Sequence, residues 1–228
     1  MILRSPASGV KGLKDNGKKA TESYHRALTK EEQKDFMAEI ENDYYYEFIA
    51  ILLCSGMRIG ELGALSWRDI DGKNNVIHIT KTLSFDEDGT MVIGDSPKSE
   101  AGKRDIPLTA TLKALFTRWK NKTENIYSMN GTVFVTTEGN MIHNHSINRV
   151  ISRALDRLDK QGRHIEHFTA HALRDTYATR YIEQGGNMQT LKALLGHSSL
   201  AMTMDLYSHV LPDTKHKEAE SMEFDIAL

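Results

Sequence analysis

Ala170-His-Ala-Leu-Arg-Asp-Thr-Tyr-Ala-Thr-Arg-Tyr-Ile-Glu183 is the stretch on which the fold turns. Its apolar residues recur at helical spacing, so it reads as a helix on which His171 and Arg174, three residues apart, share one face. Two more helical patterns follow, near Met188 to Leu195 and Leu200 to Tyr207, separated by Gly185-Gly186 and Gly196-His197-Ser198. The glycines suit helix C-caps, and Asn187 and Ser199 suit N-caps. Upstream, Ile147, Val150, Ile151, Ala154, Leu155 and Leu158 form an apolar helical stripe that leaves Arg149, Arg153 and Arg157 as a basic row on another face. That row fits either a track for a phosphate backbone or a solvated surface.

Further towards the N-terminus the period changes to two. Val76, Ile77, Ile79 and Leu83, then Met91 to Ile93, then Arg104 to Leu108 predict a small antiparallel sheet of three strands, with a short strand at Val133 to Val135. Before it, Thr29 and Glu32 form a capping-box start for a helix reaching about Glu41. A buried helix over Tyr45 to Cys54 is broken at Ser55-Gly56, and a short helix is expected over Gly60 to Trp67. The fold class is therefore α+β, mainly α-helical with a small antiparallel three-stranded sheet. Arg4 to Ala20 lacks apolar periodicity and reads as a linker.

Of the 228 residues, 39% are hydrophobic and 26% charged, as in an ordinary globular protein with a sizeable core. The longest apolar run, Phe48 to Cys54, is far short of the roughly 20 residues that span a bilayer, and no signal segment opens the chain, so a cytoplasmic protein is expected. Cys54, the one cysteine, lies inside that run and is read as a packing residue. The net charge of -2 hides a basic N-terminal stretch and an acidic tail. Such asymmetry fits either a chain that holds DNA at one face and protein at its tail, or plain surface charge.

Gly-rich phosphate loops, Cys/His metal spacings and GxSxG or HExxH patterns are absent, which disfavours most nucleotide-using enzymes and hydrolases. What remains is a set of cationic and imidazole groups in unusual places: Arg58 past a Ser-Gly break, Lys98 in a hairpin turn, His171 and Arg174 on one helix, and His197 between glycine and serine. With Tyr207 they suggest a phosphate site. A phosphodiester under attack becomes a pentacoordinate dianion, and arginine forks that stay protonated are suited to its nonbridging oxygens. An alkoxide leaving group needs a proton from a lysine or histidine. A tyrosine hydroxyl, with a pKa of about 10, becomes a nucleophile only beside cations or a base.

Four ordered motifs carry a family resemblance. Cys54-Ser-Gly-Met-Arg-Ile-Gly-Glu-Leu62 resembles the first-arginine motif of tyrosine site-specific recombinases. Pro97-Lys-Ser-Glu-Ala-Gly-Lys-Arg-Asp-Ile-Pro107 resembles their catalytic-lysine hairpin. His171-Ala-Leu-Arg174 matches their HxxR motif, and Leu195-Gly-His-Ser-Ser-Leu200 with Thr203-Met-Asp-Leu-Tyr207-Ser-His209 matches the closing histidine and nucleophile. The chain departs from many members in carrying Asp175 directly after HxxR in place of a second histidine.

The resemblance, nearest to integrases of phages and conjugative transposons, implies the catalytic-domain fold of that family. It implies that Arg58 and Arg174 hold the scissile phosphate, Lys98 protonates the departing 5′ oxygen, His171 accepts or relays the tyrosine proton, His197 donates a hydrogen bond to the phosphate, and Tyr207 forms a 3′-phosphotyrosyl link without ATP, metal or other cofactor. Lys81, Arg104, Arg149 and Arg153 are candidate further DNA contacts, and Lys81, Lys103 and Arg104 lie near enough to leave the lysine assignment open. Glu61 is read as a residue that positions the local helix.

The implied partners are double-stranded DNA, protomers of the same recombinase in a tetrameric synapse, and accessory bending or directionality factors. Residues 1–28 would link to an N-terminal core-binding domain, 29–210 form the catalytic domain, and 211–228, ending in the alternating Met222 to Leu228, dock as a strand on a neighbouring protomer. The expected function is site-specific integration or excision of a mobile element in the bacterial cytoplasm, at the nucleoid. A type IB topoisomerase-like relaxing activity and a non-catalytic DNA-binding relative are the alternatives.

Overall fold

The computed structural model describes residues 26–95 and 102–199. The Lys98 loop, the helix expected over 200–207 with Tyr207, and the tail lie outside the described residues. Thirteen elements are described, and most of the chain in them is helical.

Helix α1 (Lys30–Glu39) starts at the expected capping box. The Thr29 hydroxyl accepts from Glu32 N at 3.1 Å and a Glu32 carboxylate oxygen accepts from Thr29 N at 2.8 Å. Its buried Phe36 meets Phe168 edge to face at 5.0 Å. Helix α2 (Tyr46–Ser55) buries Phe48, Ile49, Ile51 and Leu52 and ends at Gly56 in the left-handed conformation. Helix α3 (Ile59–Gly63) is shorter than expected. Ser66 opens a separate 3-10 turn (Trp67–Asp69), in which the Asp69 carboxylate accepts from both the backbone N and the hydroxyl of Ser66.

The expected three-strand arrangement is corrected in its connectivity. Strands β1 (Ile70–Asp71), β2 (Val76–Ile79) and β5 (Arg104–Pro107) form one antiparallel sheet in the order β1-β2-β5. Strands β3 (Lys81–Phe85) and β4 (Met91–Asp95) form a separate hairpin. The run from Val76 to Leu83 thus breaks at Thr80. Ile77 and Ile79 stay in the core against Ile106 and its neighbours, whereas β3 turns to lie on α3. Gly60 is what allows that approach, because a Cβ there would sit 2.7 Å from the Thr82 hydroxyl. The strand expected over Val133 to Val135 is reduced to one bridge, Val135 with Met141. The stretch is instead the aromatic centre of the core, where Phe134 packs on Phe48, Phe116 and Trp119, and the Trp119 indole donates to Val133 O at 2.7 Å.

Helices α4 (Ala110–Lys122) and α5 (Asn144–Lys160) follow, and α5 buries all six residues of the expected apolar stripe. Helix α6 (Ala170–Glu183) is enclosed on most sides. It buries Ala172, Leu173 and Ile182 but also Arg174, Asp175, Thr176 and Thr179. Helix α7 (Met188–Leu195) starts at Asn187, whose side chain accepts from Gln189 N and Thr190 N, and ends at Gly196, again left-handed. With α6 it forms a second, smaller apolar cluster around Ala178, Ile182, Leu191 and Leu195.

The last residues of the expected linker are already packed. Leu28 is buried, its N–H donates to the Thr176 hydroxyl at 2.9 Å, and its carbonyl accepts from Arg180 at 2.6 Å. Cys54 is half-buried, and burial raises its thiol pKa, which fits a packing residue. Among the described residues no helix is long and apolar enough to cross a membrane.

Candidate active site

The sites where the helices end are where the cationic groups gather. Arg58 is the residue before α3, just past the break that Gly56 makes, and its side chain remains about one-third exposed. Helix α6 presents His171 and Arg174 one turn apart, as expected from their spacing. Arg58, His171 and Arg174 line one cleft of about 540 Å³, whose other walls include Thr82, Phe85 and Asn148.

Arg174 is 3% exposed and is fixed from two directions: it donates to Gly56 O at 2.7 Å and to Leu195 O at 2.6 Å. It therefore clips the end of α2 to the end of α7, so that the Arg58 and His197 segments are both referenced to its guanidinium. Gly56 could not be replaced without cost. Its φ is +64°, and an added Cβ would lie 2.4 Å from the Tyr177 ring.

His197 follows the left-handed Gly196 and is 7% exposed. Its pKa falls from 6.5 to about 4, first because burial disfavours the charged ring and then because Arg174, Arg58, Arg104 and His171 add positive charge around it. Residues far apart in sequence thus act electrostatically on one imidazole, which is neutral at physiological pH. A neutral ring can donate one hydrogen bond while the arginines supply the charge. His171 is more exposed; its Nε2 lies 3.8 Å from an Asp175 carboxylate oxygen one turn on, while Asp175 itself is buried.

Glu61 has a larger role than positioning the local helix. Wholly buried, its carboxylate accepts from Arg58 N at 2.8 Å, Arg58 Nη1 at 2.8 Å, and Arg104 Nη1 and Nη2 at 2.9 and 2.7 Å. Burial pushes its pKa up, but the hydrogen bonds and charge of Arg104, followed by Arg58, outweigh that and hold it below the usual carboxylate range. Arg104, a candidate DNA contact in the sequence, has a side chain that is 6% exposed and paired with Glu61. Lys81 is likewise engaged, with Asp69 at 3.0 Å, though it is about one-third exposed. Arg149 and Arg153 are exposed on α5, while Arg157, the third member of that row, is ion-paired with Glu39.

Asn148 was not singled out from the sequence. Thr169 makes no side-chain cap to α6, and the Asn148 side chain reaches across from α5 to accept from Ala170 N at 2.9 Å, capping the helix that carries His171 and Arg174. The sequence signal for it is a polar position at the edge of the α5 stripe, beside Leu155. Lys98 and Tyr207 lie outside the described residues.

The sequence model of the phage integrase family matches residues 26–213 of the chain, well over half of it. The chain belongs to that family. It is 27% identical over 205 residues to the transposase from transposon Tn916 of Enterococcus faecalis, covering 86% of this chain and 50% of that protein. It is also 27% identical over 237 residues to the ICEBs1 integrase of Bacillus subtilis, covering 98% of this chain and 60% of that one. This integrase-family chain thus spans about half the length of the curated relatives it matches.

Among solved structures, the Tn1549 transposon integrase in complex with transposon right end DNA aligns with a TM-score of 0.75 at 27% identity, over 86% of this chain and 65% of that one. A lambda integrase tetramer bound to a Holliday junction aligns at 0.54 and 17% identity, over 89% and 51% of the chains, a likeness of fold alone. The fold is that of tyrosine recombinase catalytic domains.

Proposed function

We propose that the protein is a site-specific recombinase that integrates or excises a mobile element through a transient 3′-phosphotyrosyl bond to DNA. The observation that carries this reading is the convergence of Arg58, His171 and Arg174 on one cleft, with the same three groups acting on the His197 ring. Two permanently charged forks meet a phosphodiester that becomes a dianion in its transition state. The neutral ring of His197 adds a hydrogen bond. His171, whose Nε2 lies 3.8 Å from the Asp175 carboxylate, accepts the proton that Tyr207 loses.

Lys98 protonates the departing 5′ oxygen. The phosphotyrosyl bond conserves the energy of the phosphodiester, so religation to a new 5′ hydroxyl needs neither ATP nor metal. Residues 29–210 form the catalytic domain, with 1–28 joining it to a core-binding domain that completes the grip on double-stranded DNA. Four protomers form the synapse, each docking residues 211–228 on a neighbour, and accessory DNA-bending or directionality factors bias the outcome. Arg149 and Arg153 add contacts to phosphate. The protein works in the cytoplasm, at the nucleoid.

The test is incubation with nicked duplexes bearing the ends of the candidate element, followed by denaturation and peptide mass spectrometry. A covalent adduct on Tyr207 that is lost in Tyr207→Phe is expected. Binding without any adduct would favour a non-catalytic DNA-binding role. Relaxation of plasmids lacking the ends, with no strand exchange, would favour a topoisomerase-like activity.

A further inference from the structure

Glu61 presents a difficulty for a phosphate site. A buried carboxylate beside Arg58 competes with the phosphate for the same guanidinium, and a single Arg–carboxylate pair closes readily into a two-bond fork. In this structure it does not close. Arg58 gives the carboxylate one side-chain bond, from Nη1 to Oε1. Oε2 is taken by the Arg58 backbone N–H and by Arg104 Nη2, and Arg104 Nη1 shares Oε1. Each carboxylate oxygen thus accepts two bonds, and the fork opposite Glu61 belongs to Arg104, 43 residues away in the chain. The rest of the same guanidinium reaches two further segments: Nε donates to Leu194 O at 2.6 Å, next to the carbonyl that holds Arg174, and Nη1 also meets Gly102 O at 3.2 Å.

We propose that Arg104 is a positioning residue that occupies and neutralises Glu61, so that Arg58 stays turned to the cleft for a substrate phosphate. It also ties the start of β5 and the end of α7 to the same anchor. The inference rests on the reading of the cleft as a phosphodiester site. It makes Arg104 a switch of sign: without it, Glu61 changes from an anchor for Arg58 into its captor. A residue that merely stabilised the fold would not have its loss repaired by deleting a second charge.

Arg104→Met is expected to slow adduct formation on a nicked duplex by about 100-fold, comparable to losing a charged transition-state donor, with DNA affinity little changed. Adding Glu61→Gln to it should restore roughly tenfold of that loss, as expected for directly coupled groups. Arg104→Lys, which keeps a cation against Glu61 without the fork, should fall between and serves in the same comparison, alone and with Glu61→Gln, if the methionine variant does not fold.

Independently of activity, modification of Arg58 by phenylglyoxal, followed by mass spectrometry on the DNA-free protein, should slow several-fold in Arg104→Met and recover in the double variant. Unchanged Arg58 reactivity, or a double variant no better than Arg104→Met, would overturn the assignment. A wild-type protein that forms no adduct would instead strike at the reading of the cleft, while the phenylglyoxal comparison would still decide the role of Arg104.

Discussion

At the scale of single residues, the site is defined by how charges are paired more than by how many there are. His197 shows this, because its neutral ring results from burial together with the cations around it. With the unfolded pKa at 6.5 and the folded one at about 4, its burial is fully tolerated above 6.5. Stability is then lost as pH falls between those values, since the unfolded chain binds the proton first, and the total is on the order of 3 kcal/mol. NMR titration of the His197 imidazole should find a midpoint near 4 in the free protein, and His197→Gln should flatten the fall in stability over this range. A bound phosphate supplies the missing negative charge and should raise the midpoint. A midpoint near 6.5 in the free protein would mean that the arginines do not converge on this ring.

At the scale of elements, the chemistry depends on where helices stop. Arg58 follows the end of α2, and His197 follows the end of α7. Arg174, from within α6, holds both ends through Gly56 O and Leu195 O. Gly56→Ala tests that coupling. The left-handed backbone and the encounter with Tyr177 should cost about 2–4 kcal/mol in chemical denaturation. Because the carbonyl that receives Arg174 moves with it, DNA cleavage should fall even under conditions where the variant remains folded. Equal cleavage rates per folded molecule would show that the α2 end does not set the Arg174 geometry. Helix α5 contributes in the same way from outside, through the Asn148 cap on α6.

At the scale of the whole molecule, α6 is the axis. It packs on α2, α5 and α7, and the segment entering the domain is clipped along it through Leu28, Thr176 and Arg180. From Leu28 the described chain therefore enters the domain along the helix that bears His171 and Arg174. At the other end, the alternating Met222 to Leu228 should act between protomers by adding a strand to a neighbour's exposed backbone edge. Deleting 222–228 should leave cleavage of a single nicked site within a few-fold of wild type but reduce synapsis, read by native gel and strand-exchange assays. Unchanged strand exchange in the truncated protein would remove the tail from the assembly.

The sequence by itself determined the features that are local. The bounds of α6 and α7, the Thr29 and Asn187 caps, the buried stripe of α5 and the shared face of His171 and Arg174 all follow from capping chemistry, glycine and a period of 3.6, interactions that span a turn or two of chain. Only the tertiary structure decided how the cations share the buried carboxylate of Glu61. The sequence marks Arg58 for the phosphate, but that Glu61 binds both guanidiniums, leaving Arg58 part-exposed in the cleft and Arg104 buried, depends on a contact that folding makes across 43 residues. The division of the strands has the same origin. Alternation marks Val76 to Leu83 as extended, but whether each half pairs with β5 or folds over α3 is set by long-range burial, to which a period of two is blind.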